Sequence, residues 1–131
     1  MMKKISSKSV LIAEDHLEAR KILTALIHKI GATHVDSVQN GVEALNKVQE
    51  QPVDLLVVDW NMPEMDGLEL LKTLRSNEAT KHIKFLMVTA DNDKTHVLEA
   101  ILAGADGYLV KPVTLERLEQ KIEDIFKDEE E

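Results

Sequence analysis

The chain contains no cysteine, so disulfide bonds and thiolate metal sites are excluded. It also has no apolar run that approaches the about 20 residues a helix needs to cross a bilayer. The apolar stretch VLIA near the amino terminus is too short for the core of a signal peptide, and an acidic pair follows it. We therefore expect a cytoplasmic protein without a membrane-inserted segment.

Positive charge is also scarce, with 16 Lys and Arg against 24 Asp and Glu and a formal net charge of −8. This balance disfavours nucleic acid as a partner, and no helix-turn-helix pattern is present, so we predict no direct DNA binding. No glycine-rich turn follows the first apolar run, which argues against a dinucleotide-binding site. The 131 residues, 44% hydrophobic and 31% charged, are typical of one globular domain.

What the sequence does contain is an alternation of short apolar runs with longer stretches of helical period. The runs cover 10–15, 34–38, 53–60, 84–90 and 107–112. Near-continuous apolar runs suit strands that are covered on both faces of a parallel sheet. The alternation therefore predicts a doubly wound α/β fold, in which five parallel strands and five helices are joined by right-handed crossovers.

Apolar residues three and four positions apart mark the predicted helices. Gly31 is expected to close the first helix as a C-terminal cap, and Thr114 to open the last one as an N-cap. The helical stretches cover 19–30, 41–50, 68–74, 97–102 and 115–126, the fourth ending near Gly104.

Polar residues end most of these apolar runs, and a parallel sheet would bring them to one edge. They are Glu14 and Asp15 on the first run, Asp59 on the third, Thr89 on the fourth and Lys111 on the fifth. Because such sheets bind their ligands at the carboxyl ends of the strands, we predict a site at this edge.

Three carboxylates at one point repel one another unless a cation lies between them. An all-oxygen ligand set favours a hard ion, for which Mg²⁺ is the cellular default. Lys111 could pair with Asp59 or with an incoming phosphoryl oxygen, and the Thr89 hydroxyl could donate to that oxygen. Asp59 could then attack phosphorus and form an acyl phosphate. The five histidines show no ligand spacing, so we predict that they are ordinary surface or core residues.

These residues, together with the segments DWNMPEMDGLELLKTLR and GADGYLVKP, resemble the receiver domain of two-component response regulators, above all its single-domain chemotaxis members. The resemblance covers about residues 8–127 and implies a single receiver domain over 1–131, with a short amino-terminal segment and an acidic tail. It implies a flavodoxin-like sheet of strand order 2-1-3-4-5. Glu14 and Val113 depart from the chemotaxis pattern, which has aspartate and phenylalanine at these positions.

The resemblance also implies roles in phosphoryl transfer. Asp59 would be the phosphoacceptor, and Thr89 and Lys111 would contact the phosphoryl group. The ligands of Mg²⁺ would be the carboxylates of Glu14, Asp15 and Asp59 and the backbone carbonyl of Asn61.

Further roles concern signalling and the lifetime of the phosphoryl group. Thr89 and Tyr108 would form a switch, with an ordinary core residue as the alternative interpretation of Tyr108. Asn61 and Asp91 occupy the positions that tune hydrolysis, and the Lys111–Pro112 bond would be cis.

The function implied is a phosphorylation-activated switch rather than an enzyme with an external substrate. A sensor histidine kinase or a histidine phosphotransfer protein would donate the phosphoryl group, and a downstream protein target would recognise the face of the fourth helix, fifth strand and fifth helix. No output domain follows the fifth helix in this sequence, so we expect the signal to leave through protein–protein contact. We expect a monomer, or a dimer that forms on phosphorylation.

Two other functions use the same residues. A phosphate sink or relay receiver would have identical chemistry without a phosphorylation-dependent target. A small phosphatase with an aspartyl nucleophile would need a general acid two residues after Asp59, where this chain has Asn61. Neither the cognate kinase nor a chemotaxis pathway follows from the sequence.

Overall fold

The computed structural model describes residues 4–129, in which strands and helices alternate along the chain. The strands β1 to β5 are Ser9–Ala13, His34–Val38, Leu55–Val58, Lys84–Thr89 and Gly107–Val110. The helices α1 to α5 are Leu17–Ile30, Gly41–Glu50, Gly67–Arg75, Lys94–Leu102 and Leu115–Phe126. Short 3₁₀ helices, Lys4–Ser7 and Lys127–Glu129, flank them. Residues 130–131 of the predicted acidic tail and 1–3 of the amino-terminal segment lie outside the described residues.

The sheet confirms the predicted α/β fold. Over residues 4–129, five strands form one sheet in the order β2-β1-β3-β4-β5, and every pairing is parallel. The connections change direction between β1 and β3, which is the point where such sheets bind their ligands, at the carboxyl ends of the strands.

The sheet separates two layers of apolar side chains in the described part of the chain. Successive strand residues point to opposite faces, so the neighbours Val57 and Val58 of β3 belong to different cores. One core lies under α1 and α5, and the other lies under α2, α3 and α4. All of β3 is buried, as the continuous apolar run predicted.

Both predicted helix caps are confirmed. Gly31 follows α1 with a φ of 129°, which glycine adopts without steric cost, and its N–H donates to the carbonyl of His28. The Thr114 side chain accepts a hydrogen bond from the N–H of Arg117 at 3.2 Å and begins α5. Local residue chemistry therefore sets where these helices end and begin.

The fourth helix lies where it was predicted, but much of its apolar surface faces outward. Leu98, Ile101 and Leu102 are 57%, 44% and 78% exposed, whereas Ala100 is buried. This helix contacts β5, the edge strand of the sheet, so only part of its surface has strand residues to cover. No helix within residues 4–129 is long and apolar enough to cross a bilayer.

Candidate functional site

The carboxyl ends of β1, β3 and β5 bring a lysine into contact with carboxylates. Glu14 follows β1 with its side chain fully buried, and Asp59 follows β3 at 7% exposure. The Nζ of Lys111 donates to Glu14 Oε1 at 2.7 Å and to Asp59 Oδ2 at 3.3 Å. The lysine therefore lies closer to Glu14 than to Asp59, the partner considered from the sequence. The Lys111–Pro112 bond is cis, as the resemblance implied.

The charge of Lys111 is stabilised by these carboxylates. Burial by itself lowers the pKa of Lys111, but the hydrogen bond to Glu14 and the charges of Asp59 and Glu14 outweigh it. The pKa of the lysine therefore lies above its ordinary value. Lys111 is thus fully charged at neutral pH, and it balances only one of the negative charges of Glu14, Asp15 and Asp59.

Asp15 supplies a buried carboxylate oxygen that accepts no hydrogen bond. Among residues 4–129, no group forms a hydrogen bond with its Oδ1. Ligand atoms of Glu14, Asp15 and Asp59 all lie within 4.8 Å of one another. A buried oxygen without a donor is costly, and clustered carboxylate oxygens are the ligands that Mg²⁺ prefers. The residues present therefore fit a hard divalent cation.

One of the five histidines, exposed as predicted for a surface residue, lies against the acidic cluster. His16 follows the acidic pair, and its ring Nδ1 lies 3.3 Å from both Glu14 Oε2 and Asp15 Oδ1. Its backbone N–H also donates to Glu14 Oε2 at 3.1 Å. The available sequence signal was adjacency to the acidic pair, because His16 has no second histidine at a ligand spacing.

The loop after Asp59 is held close to the strand end. The N–H of Asn61 lies 3.4 Å from Asp59 Oδ1, and the N–H of Gly67 donates to the carbonyl of Trp60 at 2.7 Å. A Cβ on Gly67 would lie 2.7 Å from the carbonyl oxygen of Asp59, so α3 can begin this close only with glycine. Asp66 caps α3 in a box with Glu69. Asn61 is thereby positioned beside Asp59, with its own side chain exposed.

The loop between β4 and α4 contacts both residues predicted to form the switch. Thr89 is buried at the end of β4, and its Oγ1 accepts from the N–H of Asp91 at 3.4 Å. The hydroxyl of Tyr108 donates to the carbonyl of Asp91 at 2.7 Å. Burial, together with the charges of Asp91, Asp59 and Asp93, raises the pKa of Tyr108 to about 12, so the hydroxyl remains a donor. Thr89 and Tyr108 are therefore connected through the backbone of Asp91.

The side chain of Asp91 pairs with a histidine that sequence reasoning missed. Its Oδ2 lies 2.6 Å from His96 Nδ1, and the His96 ring lies 5.2 Å from the ring of Trp60. The hydrogen bond with Asp91 raises the pKa of His96, and the N–H of Asp93 is the main cause of a lowered pKa at Asp91. The first turn of α4 is thus tied to the rim of the site. His96 follows Asp91 by five positions, across the loop that leads into α4, a spacing without helical or strand periodicity.

The sheet, its switch point and this acidic edge define a class of signalling domain, and comparison with known proteins agrees. The chain belongs to the response regulator receiver domain family, whose family model matches residues 10–123. Receiver domains bind Mg²⁺ in an acidic pocket, and this chain has such a cluster in Glu14, Asp15 and Asp59.

Several relatives within this family are chemotaxis proteins. The chain is 41% identical over 118 residues to the chemotaxis protein CheY of Pseudomonas aeruginosa, covering 90% of this chain and 95% of that one. It is 37% identical to CheY-3 of Vibrio cholerae, with 90% and 91% of the two chains covered. The solved structure of Vibrio cholerae CheY4 matches with a TM-score of 0.82 at 30% identity, covering 90% of this chain and 98% of that one.

Proposed function

We propose that this chain is a single-domain response regulator that accepts a phosphoryl group on Asp59 and changes its protein contacts in response. In this proposal one receiver domain spans 1–131, with its core over about 8–127. The observation that carries it is the buried carboxylate of Asp59 at the end of β3, 3.3 Å from Lys111 and clustered with Glu14 and Asp15. A carboxylate that lies next to a lysine ammonium at a ligand-binding edge is suited to act as a nucleophile.

The chemistry is transfer from a phosphohistidine. A carboxylate oxygen of Asp59 forms a bond to phosphorus while the phosphorus–nitrogen bond of the donor breaks, and the donor imidazole keeps the electron pair. Lys111 turns its ammonium from the carboxylates toward the phosphoryl oxygens, and Thr89 donates its hydroxyl to one of them. Glu14, Asp15, Asp59 and the carbonyl of Asn61 would hold Mg²⁺, which supplies positive charge next to the phosphoryl oxygens.

The contacts of Thr89 support a route from the phosphoryl group to the surface. If the Thr89 hydroxyl turns toward a phosphoryl oxygen, it leaves its 3.4 Å contact with the N–H of Asp91. The carbonyl of that residue holds Tyr108, so the loop, the tyrosine and α4 shift together. A change of a few kcal/mol between two such arrangements is sufficient for a switch. Asn61 and Asp91, which flank the site, would set the lifetime of the phosphoryl group.

The exposed apolar residues of α4 support a downstream protein as the target. Leu98 and Leu102 present a hydrophobic surface next to β5, where an ordinary surface helix would carry polar residues. The donor would be a sensor histidine kinase or a histidine phosphotransfer protein. The protein would act as a monomer, or as a dimer formed through α4 and α5 once it is phosphorylated.

Intact mass tests the phosphoacceptor directly. With Mg²⁺ and a small acyl phosphate donor, we expect the wild-type chain to gain the mass of one phosphoryl group and Asp59→Asn to gain none. Asp54→Asn is the matched control, because Asp54 lies at the opposite edge of the sheet and accepts from the N–H of Ser9. Equal uptake by wild type and Asp59→Asn would rule out this function.

The same samples separate a switch from a phosphate sink or relay. If the chain is a switch, a pull-down with phosphorylated wild type recovers the downstream target and one with Asp59→Asn does not. If it is a sink or relay, the two pull-downs recover equal amounts of any partner. A phosphatase would release many equivalents of phosphate per chain. That outcome is disfavoured because Asn61 has no proton to transfer at neutral pH.

A further inference from the structure

We propose that His16 is an additional ligand of the metal site, so that the site accepts a first-row transition ion more readily than an all-oxygen site would. The ions concerned are those that combine carboxylate and imidazole ligands, such as Fe²⁺ and Co²⁺. The inference rests on the metal site of the proposed function and adds a residue and a selectivity to it.

The separations of the ligand atoms support this geometry. Nδ1 of His16 lies 3.3 Å from Glu14 Oε2 and 3.3 Å from Asp15 Oδ1. Two ligands about 2.1 Å from one ion, at right angles to each other, are about 3.0 Å apart. The observed distances are thus close to those of neighbouring positions in an octahedron, and a small movement of the ring makes up the difference.

Nδ1 of His16 forms a hydrogen bond with Glu14 Oε2, whereas its contact with Asp15 Oδ1 at the same distance is not a hydrogen bond. Among the residues that the structure describes, Asp15 Oδ1 has no hydrogen-bond partner, although the imidazole nitrogen is only 3.3 Å away. A nitrogen and a buried oxygen that approach without bonding to each other are arranged as two ligands of a common ion would be. When Nδ1 binds an ion, the ring proton resides on Nε2, and the His16 side chain is 76% exposed, so it can meet water.

The backbone fixes where this ring can be. His16 is the N-cap residue of α1, its N–H donates to Glu14 Oε2, and its carbonyl accepts from the N–H of Arg20 at 2.9 Å. Glu14 divides its oxygens, with Oε1 bound to Lys111 and Oε2 facing His16. A buried, doubly held carboxylate therefore orients one side of the site, and the imidazole closes the outer side.

An imidazole ligand changes which ions the site prefers. Mg²⁺ binds oxygen ligands and gains little from an imidazole, whereas affinity for nitrogen ligands rises from Mn²⁺ through Co²⁺. Removing the ring should therefore weaken Co²⁺ binding while leaving Mg²⁺ binding almost unchanged. Because this selectivity is a ratio of two affinities in one protein, a general loss of stability does not imitate it.

Metal titrations of the full chain test the proposal, with Trp60 fluorescence as the readout. In wild type and in His16→Gln, we would measure the Kd for Mg²⁺ and for Co²⁺, with His82→Gln as the matched control because His82 is an exposed histidine between α3 and β4. We expect the ratio of the Mg²⁺ Kd to the Co²⁺ Kd to fall about tenfold in His16→Gln, with the Mg²⁺ Kd changed less than about twofold. His82→Gln should behave as wild type.

NMR of the Co²⁺-bound protein provides a second test of whether His16 binds the ion. Bound Co²⁺ shifts the NMR signal of a coordinated imidazole N–H far from the normal range, and we expect such a signal in wild type and its loss in His16→Gln. An unchanged ratio without this signal, alongside normal Mg²⁺ binding, would overturn the role of His16 and leave the proposed function standing. Failure of all three proteins to bind Mg²⁺ would overturn the metal site and the proposed phosphoryl transfer together.

Discussion

The strands of the parallel sheet begin along one side, here called the amino edge, and end along the opposite side, the carboxyl edge. These two edges hold buried or half-buried carboxylates in opposite ways. At the amino edge, Asp54 accepts from the N–H of Ser9 at 2.8 Å. At the same edge, Asp106 Oδ2 accepts from the N–H of Phe85 at 2.9 Å and from Arg75 at 3.0 Å. At the carboxyl edge, Glu14 and Asp59 share one lysine.

The difference shows that buried negative charge can serve two purposes. Where backbone N–H groups and a guanidinium satisfy each carboxylate, the charge stabilises the fold by connecting strands and helices. Where three carboxylates cluster beside a single lysine, as Glu14, Asp15 and Asp59 do, their oxygens fit a hard divalent cation. The first arrangement is satisfied by groups of the fold itself, whereas the second is suited to a ligand.

The largest expected effect is the removal of Arg75 from the amino edge. Its guanidinium donates to the carbonyls of Gly104, Lys81 and Ile83 and to Asp106, at distances of 2.7 to 3.0 Å. Arg75→Met removes the guanidinium from the three carbonyls and leaves Asp106 Oδ2 with only the N–H of Phe85, so we expect urea denaturation to show a loss of about 3 kcal/mol in the free energy of unfolding. Mg²⁺ should not reduce this loss, and phosphoryl uptake should persist.

Lys81→Met is the control for that measurement. Lys81 forms an exposed ion pair with Glu78 at 2.8 Å, so its loss should cost less than about 1 kcal/mol. If Arg75→Met lowered the free energy of unfolding no more than Lys81→Met does, the interactions of Arg75 at the amino edge would not be stabilising the fold.

A smaller effect is expected from Lys111→Met at the carboxyl edge. Without the ammonium, Glu14 stays buried next to Asp59 with no cation. Because Lys111 is 26% exposed, we expect a loss of about 2 kcal/mol rather than that of a fully buried pair. Here Mg²⁺ should restore more stability than it gives wild type, because the ion meets more negative charge. An equal loss with and without Mg²⁺ would mean that Lys111 is structural, as Arg75 is, and the two edges would no longer differ.

The smallest effect concerns the exposed pair of Asp91 and His96. Hydrogen bonding with Asp91 raises the pKa of His96 above its ordinary 6.5, so the pair stabilises the fold fully below that pH and loses its effect as the pH rises through the raised pKa. The lowered pKa of Asp91 gives stability above 3.8 that is lost as the pH falls through the lower value. Between these limits the first turn of α4 is held most firmly.

An NMR titration of the His96 ring checks this prediction. In Asp91→Asn the His96 pKa should fall back toward 6.5, with Trp60 fluorescence following the same titration because the two rings are in contact. A His96 pKa unaffected by Asp91→Asn would show that the 2.6 Å contact does not persist in solution.

Much of this fold could be predicted because its signals are local in the sequence. The continuous apolar run of β3, the glycine after α1 and Thr114 before α5 each mark an element within a few residues. The parallel sheet then places Glu14, Asp59 and Lys111 at one edge, because the carboxyl ends of its strands coincide.

The interactions that were missed depend on distant or irregular backbone. Arg75 binds carbonyls that lie 6 to 29 residues away, and no periodic pattern records such contacts. The preference of Lys111 for Glu14 over Asp59 depends on how its side chain crosses the site. His16 lies at a loop–helix junction, and the outward face of α4 depends on the limited area of sheet beneath it.

The division of β3 between two cores has a consequence for how such a chain can diverge. Val57 and Val58 face opposite layers, so inserting or deleting one residue in the strand would exchange its buried faces and move Asp59 away from Lys111. Replacing one apolar residue by another preserves both arrangements. Among related chains, this strand should therefore vary in composition while its residue count stays fixed, because its length sets the position of Asp59 relative to Lys111.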